Sequence, residues 1–339
     1  LPMKKLLLAS AVAALSVSAA NAAPTVYGKA FLTADYVDID SLSVDEDTDE
    51  VQLNSNSSRL GVKGSEAITA NTDVIYQLEY GVDIDGDDSK TLSARDTFLG
   101  LKNNAAGEFR FGRNQSSLDR VNNVVTAYNG YWDNLGNADN MVDSGRIDNS
   151  LLWLSPSMSG FQAAAMVATE EKEEADAGYG LSLMFDQGTG FTAGVSYDKD
   201  LNLGHNYTKT SGGDIIRGGD IIRGTLTADL AKLGGGLPLT VGALYQQADI
   251  DGAAKKEKGY VISAEMGLQN FAKPAAVYAQ YNNTSNLRGV NGLDSDQIVV
   301  GGKYFYKQNV IAHAYVGQND SDRNDTETFA LGGGIEYKF

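Results

Sequence analysis

The sequence predicts an all-β chain: a transmembrane antiparallel β-barrel, sixteen-stranded, with its third external loop folded inward. Three observations predict it. Side chains alternate with a period of two along most of the chain, connections alternate between short and long, and the last strand ends on Phe339.

The alternation is plainest at the start. From Thr25 to Tyr36 the even positions are Val26, Gly28, Ala30, Leu32, Ala34 and Tyr36, while the odd ones are mostly polar. Only a strand sends successive side chains to opposite faces in this way. In 73–83, Val74, Tyr76, Leu78, Tyr80 and Val82 face one side, and Gln77, Glu79 and Asp83 the other. The pattern returns at 179–185, 191–197, 259–268, 297–306 and 310–316. A soluble sandwich would alternate too. Here the apolar face carries Ala, Gly, Val and Leu with aromatics toward the strand ends, the pattern of a lipid-facing band between aromatic girdles.

Short, nearly uncharged turns fall near 67–72, 103–107, 155–160, 186–190, 231–236, 270–274 and 306–309. Longer polar connections fall near 38–56, 84–93, 114–147, 169–178, 198–223, 248–258, 282–296 and 317–326. Seven short and eight long connections join sixteen strands. Short periplasmic turns, long external loops and an even strand count characterise outer-membrane barrels. Closure satisfies the backbone in lipid and leaves no sheet edge.

The first 22 residues read as targeting rather than fold. Lys4 and Lys5 precede the apolar stretch Leu6–Ala20, and Ala20-Asn21-Ala22 gives a small-x-small cleavage site. Residues 1–22 are therefore expected to be a signal peptide, with Leu1 and Pro2 extraneous before Met3, and 23–339 a single barrel domain. After Ala22 no apolar run of about 18 residues could cross a membrane as a helix. Cysteine is absent, which fits an exported chain that needs no disulfide.

The net charge of −17, or −19 without Lys4 and Lys5, speaks against nucleic acid as a partner. Most of those carboxylates fall in external loops and are screened from the lumen, so no more than a weak cation preference is expected. Nothing points to an enzyme or a cofactor. The only histidines are His205, in a loop, and His313, on a polar strand face, both read as solvated. No HExxH, phosphate-binding loop or GxSxG elbow occurs. Asp83, Asp85 and Asp87 mimic a calcium loop, but Gly86 is misplaced and Ala94 stands where a bidentate Glu belongs. The acidic run Asp45, Glu46, Asp47, Asp49 and Glu50 reads as a solvated loop rather than a metal site. The immediate repeat of GGDIIR, 212–217 and 218–223, reads as a duplication in a tolerant surface loop.

A wide barrel needs a constriction. The longest connection, 114–147, carries Val121, Val124, Val125, Tyr128, Tyr131, Trp132, Leu135 and Met141, enough apolar surface to pack against the inner wall. It also brings Asp133, Asp139 and Asp143. Parity puts Lys29, Arg59 and Lys63 on the lumen face, with Arg95 heading the fourth strand and Arg110 in the fifth. Basic wall residues facing loop acids would set a transverse field that favours small polar solutes. The alternative is that these arginines make ordinary wall ion pairs.

At these residues the sequence resembles the general diffusion porins of Gram-negative outer membranes. The similar segments are Thr25-Val-Tyr-Gly-Lys-Ala30, Ser58-Arg-Leu-Gly-Val-Lys-Gly64, Tyr76-Gln-Leu-Glu79 and Arg95-Asp-Thr-Phe-Leu-Gly-Leu-Lys102. Phe109-Arg-Phe-Gly-Arg113, Asn149-Ser150 with Ser155-Pro156, and Tyr337-Lys-Phe339 extend the likeness, while about 170–300 is similar in pattern only. The resemblance implies a water-filled channel for small hydrophilic solutes and ions, a homotrimer, and a third loop forming an eyelet. It assigns the basic side of the constriction to Lys29, Arg59 and Arg95, with Arg146 the nearest candidate for a further wall base. The family's Pro-Glu-Phe-Gly-Gly eyelet motif is absent, so Asp133, Asp139 and Asp143 come from the loop's composition alone. Tyr337 and Phe339 resemble the signal read by the barrel insertion machinery. Lipid bilayer and lipopolysaccharide are the expected surroundings. Two other functions stay open: a substrate-selective sugar or peptide porin, which an aromatic ladder among Tyr27, Phe31, Tyr278, Phe305 and Tyr315 would favour, and a non-conducting adhesin or structural barrel.

Overall fold

A computed structural model describes residues 23–42, 48–86, 92–124, 130–133, 135, 139–169, 177–201 and 218–339. The signal-peptide reading, His205, the first GGDIIR copy and Asp45–Asp47 lie outside the described residues.

The first half of the sheet runs β1 (Thr25–Asp40), β2 (Thr48–Ser55), β3 (Arg59–Thr69), β4 (Thr72–Val82), β5 (Leu92–Asn103), β6 (Gly107–Gln115), β7 (Arg146–Leu154) and β8 (Phe161–Ala168). It continues through β9 (Gly178–Asp186), β10 (Phe191–Lys199), β11 (Gly219–Asp229), β12 (Leu239–Ile250) and β13 (Glu257–Leu268). The last strands are β14 (Ala275–Ser285), β15 (Ser295–Lys307), β16 (Val310–Ser321) and β17 (Thr326–Lys338). All lie in one sheet, and consecutive barrel strands pair antiparallel.

Seventeen segments make sixteen barrel strands, because β2 and β3 are two pieces of one. Both pair with β1, β3 with its start and β2 with its far half. At the break Ser57 takes a left-handed φ of 51°. The Ser58 hydroxyl patches the ladder there, accepting from Phe31 N at 2.9 Å and donating to Phe31 O at 3.2 Å. The barrel closes where β1 meets β17, from Lys29↔Lys338 to Asp40↔Glu327. Phe339 completes the seam: Gly28 N donates to its carbonyl at 2.9 Å, and its own N–H donates to Gly28 O at 3.1 Å.

Alternation sorts the side chains as the sequence predicts. In β1, Phe31, Thr33, Asp35 and Val37 are buried inside, while Ala34 and Tyr36 are exposed outside. Leu99, Phe111, Leu181, Leu226, Ile262, Ile298, Leu331 and Ile335 are exposed on the outer face. An apolar belt of this extent is a liability in water and is what a bilayer-spanning barrel presents to lipid.

Three predicted long connections are shorter than expected. Of 38–56, much is a projecting hairpin, since β1 runs to Asp40 and β2 begins at Thr48. The connection at 317–326 shrinks to a tight turn around Arg323–Asp325. The second GGDIIR copy is not loop: from Gly219 it is β11, with Ile221 and Arg223 buried inside. In each case Asp-rich or Gly-rich composition suggested loop, but cross-strand hydrogen bonding holds the backbone whatever the side-chain polarity.

Buried apolar residues gather on the inner side of the wall. One cluster joins Trp132 to Val37, Tyr278, Val299, Tyr315 and Ala330. Another joins Leu118 and Val142 to Ile221, Ala248 and Ile250, and a third joins Val124 and Met141 to Leu244 and Val261. Each pairs wall residues with residues from the connection between β6 and β7.

Candidate functional site

That connection is seated by side chains of the far wall, which satisfy its backbone where no strand can. Asn123 donates to Thr192 at 2.9 Å and to Thr227 at 2.6 Å, and accepts from Thr225 at 2.8 Å. Ser263 donates to Val124 O. Tyr131 N–H donates to the Tyr315 hydroxyl at 3.1 Å, and that hydroxyl donates to Asp35 at 2.5 Å. Val142 is held twice, its N–H by Glu257 at 2.8 Å and its carbonyl by Gln246 at 2.7 Å. The seat is shaped for Trp132. Gly317 lies under the indole, and a Cβ there would stand 2.6 Å from its Cε2. Gly130, just before, takes a φ of 78° and presses on the Tyr315 ring, so a side chain there would be both strained and blocked.

On β1, β3, β5 and β7 the predicted bases come together. Lys29 and Arg59 are direct cross-strand partners. Both lie within electrostatic reach of Arg95, which also feels Arg146. Carboxylates that the sequence reading passed over are interleaved with them. Glu79 accepts from Arg95 Nε at 2.8 Å and from the Tyr27 hydroxyl at 3.0 Å, with Arg59 Nε at 3.7 Å. Asp96 accepts from Arg146 Nε at 2.6 Å. Arg110 pairs with Glu108 and stacks over the Phe98 ring at 4.5 Å. The signal for Glu79 was present, since it sits at lumen parity within Tyr76–Glu79. Lys63 instead lies over the Tyr27 ring at 5.0 Å.

The three loop acids go to three different places. Asp133 feels the bases electrostatically: burial pushes its carboxyl up to about 6, against the pull of Lys29 and Arg95. Asp139 is bound at the rim, accepting from Ser321 at 3.1 Å and pairing with Arg323 at 3.3 Å. Asp143 is buried against β11, with Arg223 Nη2 at 3.7 Å. Asp119 and Asp198 complete this second cluster. Burial first, and then the Asp143 carboxylate, raise Asp119 well above the ordinary aspartate range despite the pull of Arg223. The Gly-rich repeat masks Arg223 as loop, yet the alternation Gly219, Ile221, Arg223, Thr225 puts it inside.

His313 is not solvated. Its Nε2 lies 3.0 Å from Glu336 Oε2 and its ring stacks on Phe31 at 4.8 Å, because two neighbouring strands cover it. The lumen aromatics form no ladder: Tyr278 and Tyr315 are spent on the Trp132 seat. Among the described residues no group of His, Cys, Asp and Glu could hold a metal ion.

A family model described as Gram-negative porin matches residues 9–324. An outer membrane porin protein of Bordetella pertussis is 27% identical over 179 residues, 47% of this chain and 46% of the relative, so the match spans about half that protein's length. An anion-selective porin from Comamonas acidovorans superposes with a TM-score of 0.76 at 18% identity, covering 94% of this chain and all of that one. The trimer form of OmpT, an outer membrane protein of Vibrio cholerae, superposes at 0.66 with 15% identity, covering 94% of this chain and 100% of that one.

Proposed function

The chain belongs to the Gram-negative porin family, and from that membership we propose that it forms a water-filled channel for passive diffusion of small hydrophilic solutes and ions across the outer membrane. Family and fold point to a channel rather than a catalyst. What supports the reading is that the charges of Lys29 and Arg95 act on Asp133, next to Trp132, which packs on the inner wall with Val37, Tyr278, Val299, Tyr315 and Ala330. The described parts of the connection between β6 and β7 then form the inward-folded constriction, with Lys29, Arg59, Arg95 and Arg146 as its basic side. Arg110, saturated by Glu108, contributes shape more than field. Asp133 alone of the three loop acids takes the acidic side, while Asp139 and Asp143 anchor the segment. A water layer ordered between opposed charges resists displacement by apolar solutes and admits polar ones. Three copies side by side, as in the trimeric structural neighbour, is the assembly we favour.

The local charge balance differs from that of the whole chain. Lys29, Arg59, Arg95 and Arg146 face Glu79, Asp96 and Asp133, while Glu336 is taken by Lys338 at 2.7 Å. One positive charge is left in excess at the narrowing, which favours anions slightly despite the acidic, screened rim. Reconstitution in planar bilayers tests the reading. Stepwise conductance proportional to bulk salt supports it, and well-folded protein without conductance refutes it. In the Arg59→Gln/Arg95→Gln variant the reversal potential is expected to move toward cations; an unchanged potential would remove those residues from the constriction.

Asp133 gives the pore a pH dependence. Its carboxyl titrates near 6, so it is ionised at pH 7.5 and neutral at pH 5. Acidification thus removes a negative charge and shifts the reversal potential toward anions across that window. Asp133→Asn should show the acidic value at both pH values and no step between them. The stability term has the same origin. A carboxyl that binds its proton more tightly folded than unfolded makes the fold more stable as pH falls from about 6 toward 4.

A further inference from the structure

We propose that the open edge of β2 docks an extended, basic segment of another protein, which adds to the barrel wall as a further strand. The β1–β2 hairpin lies in the first long connection, and long connections face outside in an outer-membrane barrel, so the partner is extracellular. Closure removes sheet edges only as far as neighbouring strands reach, and beside β2 they stop short. β4 ends at Val82 and β5 begins at Leu92, the two paired at the top of that wall. β2 runs from Thr48 to Ser55 and pairs with β1 alone among the described residues.

Two hydrogen bonds fix which way its backbone groups point. Asn56 N–H donates to Phe31 O, toward β1, at 2.9 Å. Ser55 N–H turns the other way and donates to Asp85 Oδ2 at 2.7 Å. Successive residues of an antiparallel strand alternate in this respect. Leu53, Val51 and Asp49 therefore turn their N–H and C=O groups away from β1, and no hydrogen bond of these groups occurs among the described residues. An open edge is a template for another chain, and proteins commonly blunt it with Pro, Lys or a bulge. Thr48–Ser55 contains neither Pro nor Lys, and its register with β1 is unbroken.

The side chains select the occupant. From Ala30 to Ser57 the sequence carries eight carboxylates and no Lys, Arg or His. Asp38, Asp40, Asp49 and Glu50 are exposed, and Asp38 directly opposes Asp49 across the hairpin, where like charges destabilise. A second copy of this acidic edge adds to the repulsion, whereas a basic strand relieves it. On the outward face Val51 is 74% and Leu53 53% exposed. In strand addition main-chain hydrogen bonds give affinity and alternate side chains give specificity. The fitting segment places apolar side chains outward beside Val51 and Leu53, and basic ones inward beside Glu50.

Full-length protein folded in detergent is mixed with a fluorescent peptide alternating lysine with valine, with its glutamate counterpart, or with the lysine peptide N-methylated at every residue. Anisotropy reads binding, and hydrogen exchange by mass spectrometry reads the backbone. Wild type should bind the lysine peptide at least about tenfold more tightly than the other two, and exchange across 48–54 should slow with that peptide alone. Val51→Pro removes one N–H on the open edge and no hydrogen bond to β1, a placement that an edge strand tolerates. It should weaken binding about tenfold, and Asp49→Asn/Glu50→Gln by a similar factor. Equal binding of the N-methylated peptide, or exchange across 48–54 that the lysine peptide leaves unchanged, would overturn strand addition. Well-folded wild type that binds no lysine peptide, its edge bare or held by a second copy, would overturn the proposal as well. All these readings are made without an open channel, so they stand or fall independently of conduction.

Discussion

Replacing Arg223 with methionine is expected to cost about 3–5 kcal/mol of folding stability, the range for breaking a buried charge pair from one side. Arg223 is fully buried and donates Nε at 2.8 Å and Nη2 at 2.6 Å to Gln246 Oε1. Gln246 in turn donates to the Val142 carbonyl, so the arginine holds the connection between β6 and β7 through one intermediary. Its removal leaves Asp143, with Asp119 and Asp198 nearby, without their shared cation. The urea midpoint of the folded barrel measures the loss, and a midpoint equal to wild type would refute it. Adding Asp143→Asn should restore part of it, because the variant then buries one uncompensated charge fewer. Open-channel noise should rise in the single variant as the segment loosens.

Removing Phe339 is expected to lower the yield of assembled barrel several-fold. The residue makes both closing hydrogen bonds with Gly28, and its ring lies against Gly28, where a Cβ would come within 2.4 Å of Cζ. Tyr337 packs beside it at 5.8 Å. Without that last pair the seam ends early and leaves a frayed edge at the membrane boundary, where unpaired backbone is costly. Heat-modifiable mobility of the membrane fraction reports the yield, and Phe339→Tyr should behave as wild type. Undiminished insertion of the shortened chain would show that the seam closes without it and would remove Phe339 from the assembly signal.

What the sequence determined alone was everything that depends on period and punctuation. Lumen and lipid faces, all seven short turns, the strand count and the closing strand follow from alternation, which is a property of neighbouring residues. Lys29, Arg59 and Arg95 could be placed on the lumen face for the same reason. Partners could not be assigned that way. Glu79 and Arg95 are sixteen positions apart, and Asp143 and Arg223 eighty, so only the register of strands around a closed barrel decides that they meet. The three loop acids are alike in composition, yet Asp139 meets Ser321 and Arg323 while Asp143 meets Arg223. His313 likewise becomes buried through strands distant in sequence. Alternation tells each side chain which face to take; closure into a barrel tells it which neighbours it finds there.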